Sequence, residues 1–138
     1  MCKPNLIQVR SIQTKNDVIQ SIEETKWLAK RCGFEDRDIL FLQLAVEEAC
    51  TNAYTHGKTG GEIKICWYEE PDGIHMEIAQ EGKPFDFQRS DMVNVGEHGR
   101  GLYLIYHFMD KVWVHEEEQS FQFHMKKYLM DTERRGGL

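Results

Sequence analysis

Ala45-Val46-Glu47-Glu48-Ala49-Cys50-Thr51-Asn52-Ala53 carries the period of a packed helix with one irregularity in it. At about 100° per residue, Leu42, Val46, Ala49 and Ala53 form a core stripe, and Gln43, Glu47 and Thr51 a wet one. Glu48 and Asn52 fall between the two, beside Phe41 and Ala45, one helical turn apart and projecting side by side. A charge on such a half-buried margin costs stability unless something pairs with it, and a metal ion, a water or a phosphate would serve. Chemistry is expected at this pair.

Working outward, the helix is predicted to open at Asp36 or Asp38 and to run to His56-Gly57. Before it, Leu6 to Ile12 alternates as a strand. Thr14-Lys15-Asn16-Asp17 is a helix start with an acidic third residue after the cap, and Cys32-Gly33 is the stop, glycine supplying a left-handed C-terminal position. That first helix carries Val18, Ile22, Trp27 and Leu28. After Lys58-Thr59-Gly60-Gly61 the period changes to two. Ile63, Ile65 and Trp67 share one strand face and Ile74, Met76 and Ile78 the next, joined through Pro71-Asp72-Gly73 as a hairpin. Val112 and Val114, then Phe121, Phe123 and Met125, make a second hairpin around Glu116 to Gln119. Between the hairpins, residues 81–98 are polar, glycine-containing and aperiodic, a length that suits a lid over a site. They lead into a helix bearing Leu102, Ile105, Tyr106 and Met109. The order β-α-α-β-β-loop-α-β-β predicts a two-layer α/β sandwich: a mixed, mostly antiparallel sheet, polar on one face, with three helices on the other.

With 138 residues the expectation is a single domain over 1–138, large enough for a core without disulfides or structural metal. The 17 basic and 23 acidic residues give a formal charge of −6, which argues against a nucleic-acid surface. No run of about 18 apolar residues is present and Met1 to Asn5 lacks a secretory segment, so a soluble cytoplasmic protein without a membrane partner is expected. Cys2, Cys32, Cys50 and Cys66 lack zinc-type spacing and read as reduced thiols that pack as small hydrophobes. Trp27, Trp67, Tyr103 and Phe123 read as core or hairpin aromatics.

Two further segments frame a pocket. Gly96-Glu97-His98-Gly99-Arg100-Gly101-Leu102 opens the third helix, where unpaired backbone N–H groups and closely approachable glycines make a phosphate cradle and Arg100 offers a bidentate contact. Taken alone, it is also the pattern of an ordinary loop before a helix. Gln80-Glu81-Gly82-Lys83-Pro84-Phe85-Asp86 ends a strand, and Gly82 and Pro84 turn the chain sharply off the sheet. Helix pair, strand-end glycine and glycine loop, in that order, suit one site between helices and sheet.

On these residues the chain resembles the GHKL ATPase superfamily, and within it the small anti-sigma-factor serine/threonine kinases of bacterial sporulation and stress response. Glu48-Ala49-Cys50-Thr51-Asn52-Ala53-Tyr54-Thr55-His56-Gly57 matches the N box, Gly82-Lys83-Pro84-Phe85-Asp86 the first glycine motif, and Gly99-Arg100-Gly101-Leu102-Tyr103-Leu104-Ile105 the second. The resemblance covers nearly the whole chain and implies the Bergerat type of sandwich. It implies that Glu48 is the general base, that Asn52 holds Mg²⁺ against the phosphates of ATP, and that Gly99, Arg100, Gly101 and Leu102 receive those phosphates, Arg100 neutralising charge during transfer. Gln80, Gly82 and Pro84 then border the adenine. The implied protein phosphorylates a STAS-type anti-sigma-factor antagonist, sequesters a sigma factor and forms a homodimer.

Gln80 departs from the family, which has an aspartate there to accept from the adenine amino group. An amide oxygen accepts without charge, which predicts nucleotide binding weaker by about tenfold if the two hydrogen bonds differ by about 1.4 kcal/mol. A freely turning amide would also slacken base selectivity. A nucleotide-gated binding module without catalysis is therefore the alternative. A histidine-kinase catalytic domain is disfavoured because no helix pair with a phosphoacceptor histidine is seen. His56 reads as a helix-end cap and His98 as part of the lid rather than as a proton relay.

Overall fold

Ile63, Ile65 and Trp67, Ile74, Met76 and Ile78, and Phe121, Phe123 and Met125 are all buried, so the period of two places one continuous apolar surface on one side of the strands. A computed structural model describes residues 5–56, 61–81 and 99–129. Within them run β1 (Leu6–Ser11), α1 (Lys15–Cys32), α2 (Asp36–His56), β2 (Ile63–Glu70), β3 (Gly73–Glu81), α3 (Gly99–Phe108), β4 (Lys111–Glu117) and β5 (Ser120–Tyr128). This is the element order expected from the sequence. The five strands are ordered β1-β2-β3-β5-β4 and every pairing is antiparallel. No parallel pair occurs among the described strands, because β4 arrives at the edge and its hairpin returns β5 between β4 and β3, opposed to both.

The helices cover the apolar face. Val18 and Ala29 of α1, Leu42, Val46 and Ala49 of α2 and Ile105 of α3 join the strand residues in one core cluster. The start of α1 is a full capping box: the Thr14 hydroxyl accepts from the Asp17 N–H, and the Asp17 carboxylate accepts from the Thr14 and Gln13 N–H groups. Those backbone donors hold the Asp17 pKa below the usual carboxylate value. Its end is Gly33 at φ 103°, with the Gly33 and Phe34 N–H groups returning to the Lys30 and Ala29 carbonyls. No described helix is long and apolar enough to cross a membrane.

Two readings of α1 and α2 need correction. Trp27 is not a core aromatic: it is 57% exposed, with the Lys26 and Lys30 ammonium groups 5.2 and 5.8 Å from its ring centre. The stripe of α1 that meets the sheet is Val18, Ser21, Thr25 and Ala29. Trp67, fully buried, donates its Nε1–H to Thr25 Oγ1 at 3.1 Å. Thr25 in turn donates to the Ser21 carbonyl at 2.7 Å, so the polar atoms inside this packing are satisfied. Second, Ala45 is buried at 1% exposure rather than marginal, and Gln43 is half-buried, its amide donating to the Ile22 carbonyl across the α1–α2 contact.

The opposite sheet face is polar, as expected, but it covers itself. His75, Glu77 and His124 are buried there. His75 Nε2 and His124 Nδ1 lie 2.9 Å apart, Trp113 stacks on His124 at 4.8 Å between ring centres, and the Tyr68 hydroxyl donates to Glu77 at 3.0 Å.

Candidate active site

The helix that carries the acid and amide begins with Asp36 and Asp38, acidic residues where its dipole is positive. Leu42 and Val46, both at 0% exposure, and Ala49 lock its inner face to the sheet. That anchoring fixes the rotation of α2 and leaves Glu48 and Asn52 half-buried on the margin, while Glu47 and Thr51 are exposed. The wheel drawn from the sequence therefore places the pair correctly.

Both side chains are electrostatically unsettled. Partial burial, and then the neighbouring charge of Glu47, raise the pKa of Glu48 above the ordinary glutamate value. Among the described residues, Asn52 Nδ2 is buried without a hydrogen-bond partner. Such an amide normally costs about 1–3 kcal/mol, so the position calls for an acceptor, and phosphate oxygens are acceptors. A carboxylate and an amide on one helix edge also suit Mg²⁺, a hard ion that keeps much of its water and needs few protein ligands beside phosphate. No group of three or more His, Cys, Asp or Glu among the described residues is placed to hold a metal by itself. ATP with Mg²⁺ fits the donor set on those grounds.

Gln80 closes one side of this margin. Its neighbours in the sheet are Ile63 and Phe121, and its buried side chain turns toward the helices, donating Nε2–H to the Ala53 carbonyl at 3.2 Å. Ala53 is within the last four residues of α2, whose carbonyls have no partner inside the helix. Gln80 therefore serves one helix-end acceptor, a role the family aspartate cannot fill. The expectation that the amide turns freely is not met: reversal would set Oε1 against a carbonyl, whereas the observed rotamer directs Oε1 away from Ala53. Glu81, next along β3, is exposed.

The third component is α3. Phe108, its last residue, stacks on Phe41 of α2 at 4.6 Å between ring centres and 9° between planes. Phe41 lies near the start of α2, seven residues before Glu48, and α3 packs against α2. With 10 residues, α3 spans about 14 Å at a rise of ~1.5 Å per residue. On α2 the rise from Phe41 is about 10 Å to Glu48 and about 16 Å to Asn52, distances comparable to the length of α3 from Phe108 to its first turn. Gly99, Arg100, Gly101 and Leu102 form that turn; their backbone is helical, and the side chains of Arg100 and Leu102 lie outside what the structure describes. Gly82, Pro84 and His98 lie outside the described residues, as do residues 82–98 of the segment 81–98 expected as a lid and the His56 side chain.

Two features were missed by the sequence reading. One is a groove of about 690 Å³ on the outer side of the helix pair, between Val18, Ile19 and Ile22 of α1 and Glu47, Thr51 and Tyr54 of α2. Glu48 and Asn52 do not line it. The other is Lys127 of β5, whose ammonium donates to the Phe108 carbonyl at 2.9 Å. Lys127 continues the inward row Phe121, Phe123, Met125, and a lysine in such a row is a sequence signal for a buried cation.

Residues 13–127 match the family profile of the histidine kinase-like ATPase domain. The chain is 32% identical over 116 residues to the serine-protein kinase RsbW of Bacillus velezensis, a match that covers 74% of this chain and 72% of that protein. It is 33% identical to the serine-protein kinase RsbW of Bacillus subtilis over the same coverage. With the protein of that name from Bacillus cereus the identity is 31% over 115 residues, covering 74% and 71%.

Proposed function

Because the chain belongs to the family of histidine kinase-like ATPase domains, we propose that it is an ATP-dependent protein serine/threonine kinase acting as an anti-sigma factor. Its phosphoacceptor is a STAS-type anti-sigma-factor antagonist, its second partner a sigma factor, and its working form a cytoplasmic homodimer. The observation that carries the reading is Glu48 with its raised pKa one turn from the buried amide of Asn52, which has no partner among the described residues. Relatives bearing the name serine-protein kinase support it.

In this reading the Glu48 carboxylate takes the proton of the attacking hydroxyl as the serine oxygen bonds to the γ-phosphorus and the bond to the ADP oxygen breaks. A base with a pKa raised toward the working pH is a better proton acceptor than an ordinary glutamate. Asn52 would hold Mg²⁺ through its amide oxygen; the ion, when bound, supplies charge neutralisation on the phosphates. Gly99 and Gly101 present backbone N–H groups at the start of α3, Leu102 continues that turn, and Arg100 stabilises the charge of in-line transfer. Gln80 offers Oε1 to the base, with Gly82 and Pro84 beside it. Labelled ATP, the chain and a STAS protein are mixed at concentrations well above the expected affinities. Phosphoserine is expected with wild type and none with Glu48→Gln, which should still bind nucleotide. No transfer by wild type would refute the kinase.

A second reading has one observation in its favour. Gln80 is held by Ala53 and lacks the charge of an aspartate, which supports a partner-binding module gated by weakly held nucleotide. Calorimetry with ATP and ADP distinguishes the two, since a module that has lost the pocket gives no Mg²⁺-dependent heat.

A further inference from the structure

We propose that Lys127 is a positioning residue for the phosphate end of the nucleotide site: it clamps the far end of α3 to α2 and thereby sets the distance between the first turn of α3 and the Glu48/Asn52 margin. The inference rests on the nucleotide-site reading above and names a residue outside the three motifs quoted from the sequence.

Three contacts converge on one nearly buried ammonium. Lys127 Nζ donates to the carbonyl of Phe108, the last residue of α3, at 2.9 Å. It lies 4.0 Å from Oδ1 of Asp38 in the first turn of α2, both side chains being about one-tenth exposed. It also stands 5.7 Å from the centre of the Phe41 ring, the ring on which Phe108 stacks. A cation at a helix C-terminus satisfies an unpaired carbonyl and favours the helix dipole. Here its counter-ion and its aromatic partner both belong to the other helix, so one ammonium joins strand, cradle helix and acid-bearing helix. Since Phe108 and the Gly99 turn are opposite ends of one rigid rod, axial or angular play at Phe108 is passed to the turn that meets phosphate. A site built for in-line transfer tolerates little such play, because a displacement of about 1 Å can cost on the order of a hundredfold in rate.

The base end of the site rests instead on Gln80 and Ala53, which do not touch this clamp. That separation gives a readout that general destabilisation does not produce. Dissociation constants for Mg²⁺-ATP and for adenosine are measured by calorimetry on the full chain. Lys127→Met is expected to weaken ATP by about tenfold while leaving adenosine within about twofold, and Lys127→Arg, which keeps a donor and a charge, to recover most of the loss. Phe41→Leu removes the shared ring by another route and should show the same asymmetry, which keeps the test open should Lys127→Met not fold. Equal weakening of ATP and adenosine, or no change in either, overturns the positioning role and leaves the nucleotide site standing. No ATP binding by wild type overturns both.

Discussion

Replacing Gln80 by aspartate sets a stability cost against a binding gain. The change restores the charged acceptor found in the family. It also removes the 3.2 Å bond to the Ala53 carbonyl at a position only 8% exposed. Losing that hydrogen bond leaves the Ala53 oxygen unpaired beside a buried carboxylate, so the empty protein should lose roughly 1–3 kcal/mol. A charged rather than neutral acceptor for the adenine amino group gains about 1.4 kcal/mol, or tenfold in affinity. Urea unfolding without nucleotide should show a lower midpoint with an unchanged slope, and calorimetry about tenfold tighter ATP. Adenosine should tighten with ATP, because the gain lies at the base. A variant that binds no better, or that unfolds at the wild-type midpoint, would refute the roles assigned to Gln80.

Other outcomes follow from the same geometry. Because burial and Glu47 raise the pKa of Glu48 in the fold, its contribution to stability is present in acid and lost as pH rises through the raised value. Glu48→Gln should therefore be no less stable than wild type at pH 7, with the advantage vanishing in acid, and wild-type transfer should fall on acidification at a pH above the usual glutamate range; a pH series of unfolding and rate curves checks both. Asn52→Ala removes a buried amide with no partner among the described residues, so the empty protein should lose less than about 1 kcal/mol or gain stability while Mg²⁺-dependent ATP heat disappears; a large loss of stability would mean the amide already has a partner. Trp67→Phe deletes the bond to Thr25 and leaves a gap, and denaturant unfolding should show a loss of about 1–3 kcal/mol.

Much of this could be read from the sequence because periodicity is a local property. The alternation of Ile63, Ile65 and Trp67 and of Phe121, Phe123 and Met125 names the inner face of the sheet without tertiary knowledge, and the caps at Thr14 and Gly33 are short-range hydrogen-bond patterns. The margin position of Glu48 and Asn52 followed from the same wheel. What failed depended on partners distant in the chain. Trp27 shares a helix with core residues, but the buried indole bonded to that helix is Trp67, forty residues on, at Thr25. The bond from Gln80 to Ala53 and the clamp of Lys127 on Phe108 join segments 27 and 19 residues apart, so no spacing rule reveals them. Lys127 left a trace, a cation in an apolar strand row, although the row does not say what it meets.

The three tryptophans occupy three different surroundings, and this makes the protein its own optical instrument. Trp67 is sealed in the core, Trp27 stands in water and Trp113 lies flat on an imidazole. Emission should accordingly contain a blue component that iodide cannot reach and a red one quenched at once, with Trp113 set apart by its stacking on His124. Swapping each indole for phenylalanine in turn would assign the components, after which loosening of the core, events on the outer helix and events on the polar sheet face can be followed separately in one cuvette without an added dye.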